Sequence, residues 1–357
     1  LWLDHLPNDA WVYSENDYSY KMCLNTAMRI IGKKPFKIFP KKYYRSFSEI
    51  GVTEDQFVSW PDIISKDEFI QSLNNAIRIL QNALEEIQLT SYDQTYINNR
   101  EVLLRLSPSY IDIDRLNEHM HNEINPTVKG ALGSFKPTHK KITRPIVYDM
   151  SGTQTGRLIV RNGPQILTLP SRCRDILTSR FFNGTIVQLD FVSLEPRVAK
   201  VIAGGNIGSD VYSFIGEKLF KGEVKRSTVK LAVLCAMYGV STSRLAKILP
   251  EKFSASIVVK KIKSHFQIGD IVRGLTHELR EKSGIITNLY GRPLAVNDYS
   301  ENILYSHYIQ STAADTALIG FNSLLKELKS VDGSYAALYT IHDALILDVD
   351  EKILNYL

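Results

Sequence analysis

The run ALYTIHDALILDV, residues 337–349, sets a histidine and an aspartate, His342 and Asp343, in the middle of an otherwise apolar segment. Short apolar runs rich in branched and aromatic side chains read as a buried β-strand. An ionised carboxylate in such a layer costs several kcal/mol or more unless a cation, a metal or an open strand end satisfies it. Taken alone, the pair fits two readings: an Asp that caps a turn where a strand ends, or a carboxylate that binds a cation. The rest of the chain discriminates between them.

A second strand-like run, TIVQLDF, ends at another carboxylate, Asp190. The continuation VSLEPRVAKVIA turns helical after Ser193, and Pro196 is tolerable in a first helical turn. Asp190 is therefore expected at the C-terminal end of a strand that opens into a helix. Two such carboxylates on adjacent strands of one sheet would repel each other unless divalent ions sat between them, and hard oxygen ligands favour magnesium. That arrangement suits phosphoryl transfer: one ion lowers the pKa of an attacking hydroxyl and a second neutralises charge on the leaving pyrophosphate.

The segment RSTVKLAVLCAMYG supplies positive charge. Arg226, Lys230 and Tyr238 stand at steps of four on an apolar stretch of helical length, and each step turns the face by only about 40°. The stripe reads either as snorkelling cations with a core tyrosine or, beside a metal site, as a grip for a triphosphate. Elsewhere, residues 67–89 carry Phe69, Leu73, Ile77, Leu80, Leu84 and Ile87 at helical spacing, free of Gly and Pro, and predict a long amphipathic helix. The Gly-, Pro- and Lys-rich stretch 130–145 predicts an exposed connection.

Charge points to a polyanionic partner. The chain's net charge is only +5, but residues 129–180 hold ten Lys and Arg against two acids, Asp149 and Asp175. Residues 33–45, KKPFKIFPKKYYR, interleave basic residues with Phe36, Phe39, Tyr43 and Tyr44, a mixture that holds phosphates and stacks bases but is equally at home in a solvated loop. With 357 residues, 44% of them hydrophobic, the chain has room for two or three globular domains. No run of about 18 apolar residues and no signal-peptide pattern is present, so the expectation is an intracellular protein without a membrane span. Cys23, Cys173 and Cys235 are too scattered for a disulfide framework or a zinc site and read as core residues.

Five motifs in a fixed order resemble those of family A DNA polymerases, the group of bacterial DNA polymerase I and phage replicative polymerases. TGRLIVRNGPQILTLP is similar to the family's TGRLSS…PNLQNIP and DFVSLEPR to DYSQIELR; RSTVKLAVLCAMYG resembles RxxxKxxxFxxxYG, QSTAAD resembles QGTAAD, and IHDA resembles VHDE. The resemblance implies a mixed α/β right-hand polymerase with an antiparallel palm sheet, helical fingers and a helical thumb. It implies template-directed addition of deoxynucleotides to a primer 3′ end with two magnesium ions. Asp190 and Asp343 match the catalytic, metal-binding carboxylates, and Arg226 and Lys230 the triphosphate-binding pair. Glu195 matches the steric gate against a ribose 2′-hydroxyl, Tyr238 a residue of the nascent-pair pocket, and Arg157, Gln310 and His342 residues at the primer terminus or minor groove. Arg197 matches a palm support residue.

Departures accompany the match. Leu234 stands where the family has an aromatic ring on the nucleotide, Ala344 where a Glu usually follows the second catalytic Asp, Ser193 where the family has Gln, and Tyr212 where a phosphate-contacting His is common. YSENDYSYKMCL resembles the last exonuclease motif, with Tyr13 and Asp17 matching. The implied organisation is an exonuclease tail and basic linker at 1–60, thumb at 61–150, palm at 151–203, fingers at 204–290 and a second, incomplete part of the palm at 291–357. The partners it implies are primer-template DNA and deoxynucleoside triphosphates, with a separate exonuclease chain or a processivity factor besides. The expected setting is a bacterial or phage-infected cytoplasm, with an organelle as the alternative. A chain that opens on Leu1 and stops soon after Asp343 is expected to be a piece of a longer polypeptide or of a split polymerase. Two other functions compete: a single-subunit RNA polymerase, against which Glu195 argues, and a catalytically impaired DNA-binding subunit, which Leu234 and Ala344 motivate and the two Asp residues oppose.

Overall fold

The computed structural model describes residues 41–49, 63–86, 90–205, 210–239, 241–296 and 300–357. Tyr13, Asp17 and Cys23 lie outside the described residues. The chain divides into two compact units, Leu1–Thr90 and Ser91–Leu357.

In the first unit, helix α1 (Lys41–Glu49) takes up the end of the basic and aromatic stretch, and α2 (Lys66–Glu86) is the helix expected from the apolar spacing. Lys42 and the Tyr43 hydroxyl both donate to Glu68 at the start of α2, at 2.8 and 2.6 Å. Part of the basic cluster is thus already engaged within the unit.

The second unit begins with α3 (Ser91–Leu104), β1 (Tyr110–Ile111), α4 (Ile113–Asn122), α5 (Pro126–Gly133), β2 (Val147–Asp149) and β3 (Ile159–Asn162). A 3₁₀ turn (Ser171–Ile176), β4 (Leu177–Thr178), β5 (Thr185–Asp190) and α6 (Leu194–Ile202) follow. A helical block comes next: α7 (Val211–Phe220), α8 (Arg226–Tyr238), α9 (Thr242–Ile248), α10 (Ala255–His265) and α11 (Ile268–Glu281). The chain closes with β6 (Ile285–Thr287), β7 (Pro293–Ala295), α12 (Glu301–Leu328), β8 (Tyr335–Ile341), β9 (Ala344–Val349) and α13 (Glu351–Tyr356).

Strands β5, β9 and β8 form one antiparallel sheet in that order, and its register decides where the carboxylates fall. Asp190 pairs with Ala344, and Ile341 pairs with the same Ala344 across the hairpin. The reading of residues 337–349 as one strand is therefore corrected: His342 and Asp343 are the two-residue turn between β8 and β9. His342 takes a φ of 55°, in the left-handed region, where His, Asn and Asp are the commonest non-glycine residues.

Because successive strand residues face opposite sides, the sheet separates two cores. Leu345, Leu347 and Val349 join a large core with α6, α8 and α12, whereas Ile346 joins a smaller one with α4 and α5, together with Leu338 and Tyr339, which share a side because the register shifts between Ala337 and Tyr339. Helix α12 is the spine of the large core, burying Tyr305, Ile309, Ala313, Ala317, Phe321 and Leu325 at steps of four. Cys173 and Cys235 are free and buried, in keeping with a packing role. The stretch 130–145 is less open than its composition suggests: it starts inside α5, and Leu132 and Phe135 are fully buried. No described helix is long and apolar enough to cross a membrane.

Candidate active site

An open cleft of about 540 Å³ gathers residues from seven separate parts of the second unit. The loop before β3 brings Arg157, the end of β5 brings Asp190, α6 brings Glu195, α8 brings Arg226, Lys230 and Leu234, α12 brings Gln310, and the β8–β9 turn brings His342 and Asp343. Tyr212 on α7 lines the same space.

The two carboxylates are joined through the backbone. β5 hands over to the turn by one further bond, Phe191 N–H donating to the Asp343 carbonyl at 3.1 Å, so both Asp residues leave the sheet at the same end. Asp190 is exposed, yet the cleft walls desolvate its carboxyl enough to push its pKa up. The charge of Asp343 pushes the same way, while Lys230 and the Phe191 N–H pull it down. An acid raised by a neighbouring acid marks a site short of positive charge. Among the described residues no three His, Cys, Asp or Glu side chains gather as a metal cage, so the oxygen donors here are these two carboxylates. Their chemistry fits a hard divalent cation that completes its shell with other oxygens.

Opposite the acids stands α8. Arg226 is its first residue, and Lys225 before it offers no side-chain cap, so the positive end of the helix adds to the two cations. Arg226 Nε donates to Asp210 Oδ2 at 2.8 Å and Nη2 to Oδ1 at 3.2 Å. The guanidinium also lies 5.0 Å from the centre of the Tyr212 ring. Arg226 beside Asp210 holds that carboxyl well below the usual carboxylate range.

Glu195 is pinned from two sides. Arg157 Nη2 donates to Oε1, and the Tyr238 hydroxyl, at the last turn of α8, donates to Oε2. Burial and the charge of Glu195 push the Tyr238 pKa up, which keeps the phenol protonated as the donor. Tyr238 thus reaches the site through Glu195 and does not line the cleft itself. Arg197 sits half-buried on α6 and is not part of the cleft wall.

Behind the walls lies a buried ionic knot. Arg292 grips Asp315 with Nε at 3.1 Å and Nη2 at 2.8 Å, donates from Nη1 to the Met150 carbonyl at 3.2 Å, and stacks 5.1 Å from the Tyr92 ring. Asn99 and Asn288 also donate to Asp315, at 3.0 and 2.7 Å. The same guanidinium fills the space beside Gly156, where an added Cβ would lie 2.3 Å from it, so only glycine lets the loop carrying Arg157 pass. Gly320 on α12 likewise leaves room for the Phe191 ring, which an added Cβ would meet at 2.6 Å.

Nine of the residues singled out from sequence, Arg157, Asp190, Glu195, Arg226, Lys230, Leu234, Gln310, His342 and Asp343, meet in one cleft. Sequence reasoning missed Asp210, Arg292 and Asp315 as contributors. Asp315 lies inside QSTAAD, where an acid in an apolar helix was a visible signal; Asp210 and Arg292 offered none that a single sequence can weigh.

The family model described as DNA polymerase family A matches residues 61–357. No curated protein matches the chain. Among solved structures, the chain is similar to the POL domain of Pol1 from M. smegmatis in complex with DNA primer-template and dNTP, at 19% identity and a TM-score of 0.52. The match covers 93% of this chain and 58% of that one, so this chain spans little more than half the length of its structural neighbour.

Proposed function

The chain belongs to DNA polymerase family A, and from that premise we propose that it extends a primer 3′ end with deoxynucleotides directed by a template. The observation that carries the reading is the meeting of Asp190 and Asp343 with Arg226, Lys230 and Glu195 in one cleft. Residues 151–203 and 291–357 would act as the palm, 204–290 as the fingers and 61–150 as the thumb, with 1–60 the end of an exonuclease-like domain.

Each side chain has a task in this reading. Asp190 and Asp343 would hold divalent ions, magnesium by their hard oxygen donors; when bound, such ions acidify a primer hydroxyl and offset charge on departing pyrophosphate. Arg226 and Lys230, one helical turn apart, bind the triphosphate. Glu195, fixed by Arg157 and Tyr238, has no free rotamer with which to make way for a 2′-hydroxyl, and this favours a DNA product over an RNA product. Gln310, His342 and Arg157 meet the primer end, and Arg197 braces the palm from within α6. Leu234 offers the nucleotide an aliphatic surface only, which lowers its affinity relative to an aromatic ring.

The test is primer extension with the purified chain. Extension with deoxynucleotides is expected, with ribonucleotides used poorly. Asp190→Asn and Asp343→Asn should each abolish extension while primer-template binding persists, since the loss falls on the transition state. Near-normal extension by either variant removes the assignment. Absence of 3′–5′ digestion by the same preparation is expected if a separate exonuclease chain completes the site to which Tyr13 and Asp17 belong.

A further inference from the structure

We propose that Asp210 is a positioning residue for triphosphate capture: it holds Arg226 by one edge, so that the remaining guanidinium N–H groups are presented to the incoming nucleotide. The inference rests on the polymerase reading of the cleft and adds to it a residue outside the sequence motifs.

The geometry separates positioning from simple pairing. Asp210 engages the Nε and Nη2 edge of Arg226 at 2.8 and 3.2 Å, and Nη1 has no hydrogen-bond partner among the described residues. A planar guanidinium held along one edge and stacked over Tyr212 has little torsional freedom left. Asp210 is itself immobilised: it caps α7, accepting from Tyr212 N at 3.2 Å, Ser213 N at 3.3 Å and the Ser213 hydroxyl at 2.6 Å. The Arg226 side chain is 53% exposed, and ion pairs that open to water contribute little to stability. What the pair supplies is orientation at the wall of the cleft. Lys230, by contrast, is exposed and reaches the same cleft with no hydrogen-bond or ion-pair partner among the described residues.

A carboxylate beside a phosphate-binding arginine could instead act as a rival anion. The two roles differ in sign. As a rival, its removal tightens nucleotide binding; as a positioner, its removal loosens it. Single-edge engagement leaves N–H groups of Arg226 for a phosphate without breaking the Asp210 contact, and this favours positioning.

The experiment uses Asp210→Asn, because Asn caps a helix as well as Asp does and so keeps α7 intact while removing the charge. Two readouts are taken: single-nucleotide extension kinetics, and direct titration of the chain with a fluorescent deoxynucleoside triphosphate. Asp210→Asn should raise both KM and the nucleotide Kd about tenfold, with kcat within about twofold. In an Arg226→Lys background, which has no guanidinium edge to hold, Asp210→Asn should add less than about twofold more. An unchanged or lowered nucleotide Kd overturns the proposal, as does the same penalty in both backgrounds, which would mark a capping effect. Failure of the unaltered chain to extend any primer would instead overturn the polymerase reading, with the titration still deciding the role of Asp210.

Discussion

His342 holds a backbone conformation that costs an L-residue roughly 1–2 kcal/mol, and Ser193, ahead of α6, holds the same one at a φ of 56°. The two bracket the carboxylates: Ser193 turns the chain from β5 into α6 just after Asp190, and His342 opens the turn that carries Asp343. Unfavourable residues kept at such positions are a sign that their side chains are used. His342→Gly should therefore stabilise the fold, by about 0.5–1 kcal/mol after allowing for the larger unfolded-state entropy of glycine, and should still weaken primer extension. Denaturant melts beside extension rates check this; a loss of stability would show that His342 is held by packing and not by use. Glu195 makes the complementary case. Glu195→Ala should raise ribonucleotide incorporation, and it also leaves the half-buried Tyr238 hydroxyl without its acceptor, costing about 1 kcal/mol. Unchanged sugar discrimination in that variant would sink its role as a gate.

Between elements, the Arg292–Asp315 knot ties the β6–β7 hairpin to α12, to α3 through Asn99 and to the Met150 loop. Asp315 is wholly buried and Arg292 nearly so, so removing one partner strands a charge. Asp315→Ala should cost about 3–5 kcal/mol, read as a fall in the denaturant midpoint, whereas a change below about 1 kcal/mol would mean that water replaces the carboxylate. The junction of α7 and α8 has a pH signature. Hydrogen bonding from Arg226 lowers the Asp210 pKa in the folded state, so its stabilisation is complete above about pH 4 and is lost as pH falls further. Asp210→Asn should flatten that acid limb by losing at neutral pH the modest stabilisation that the unaltered chain loses only in acid. The elements differ in how far sequence foretold them. The strand-to-helix switch at Asp190 was legible because periodicity changes there from two to nearly four. The β8–β9 turn was legible only as one of two readings, because apolar residues continue on both sides of His342 and the turn carries neither Gly nor Asn. The knot was hidden because Arg292, the partner of Asp315, reads as an ordinary loop residue until α3, the hairpin and α12 pack.

For the molecule as a whole, the same limit applies to charge. The basic excess over 129–180 was legible in sequence, but its availability was not, because most of the acids that neutralise it lie elsewhere in the chain. Arg157 pairs with Glu195, Arg161 with Asp149, Arg172 with Glu123, and Arg180 with the buried Asp348. Arg174 donates to Gln188 at 3.0 Å. What remains is Lys129, Lys136, Lys140, Lys141 and Arg144, all exposed and without an ion pair among the described residues. If the chain holds duplex DNA, these five set the counterion release. Each neutralised phosphate contributes about −0.9 to the slope of log K against log salt. Were all ten basic residues engaged, the slope would approach about −9; with these five from this segment, its share is about −4.5. Lys140→Gln with Lys141→Gln should then make the slope shallower by about 1.8, while Arg180→Gln, which breaks a pair inside the fold, should cost stability and leave the slope nearly unchanged. Equilibrium binding of a primer-template across a salt series decides it. Equal slopes for the double-lysine variant and the unaltered chain would place the duplex away from Lys140 and Lys141.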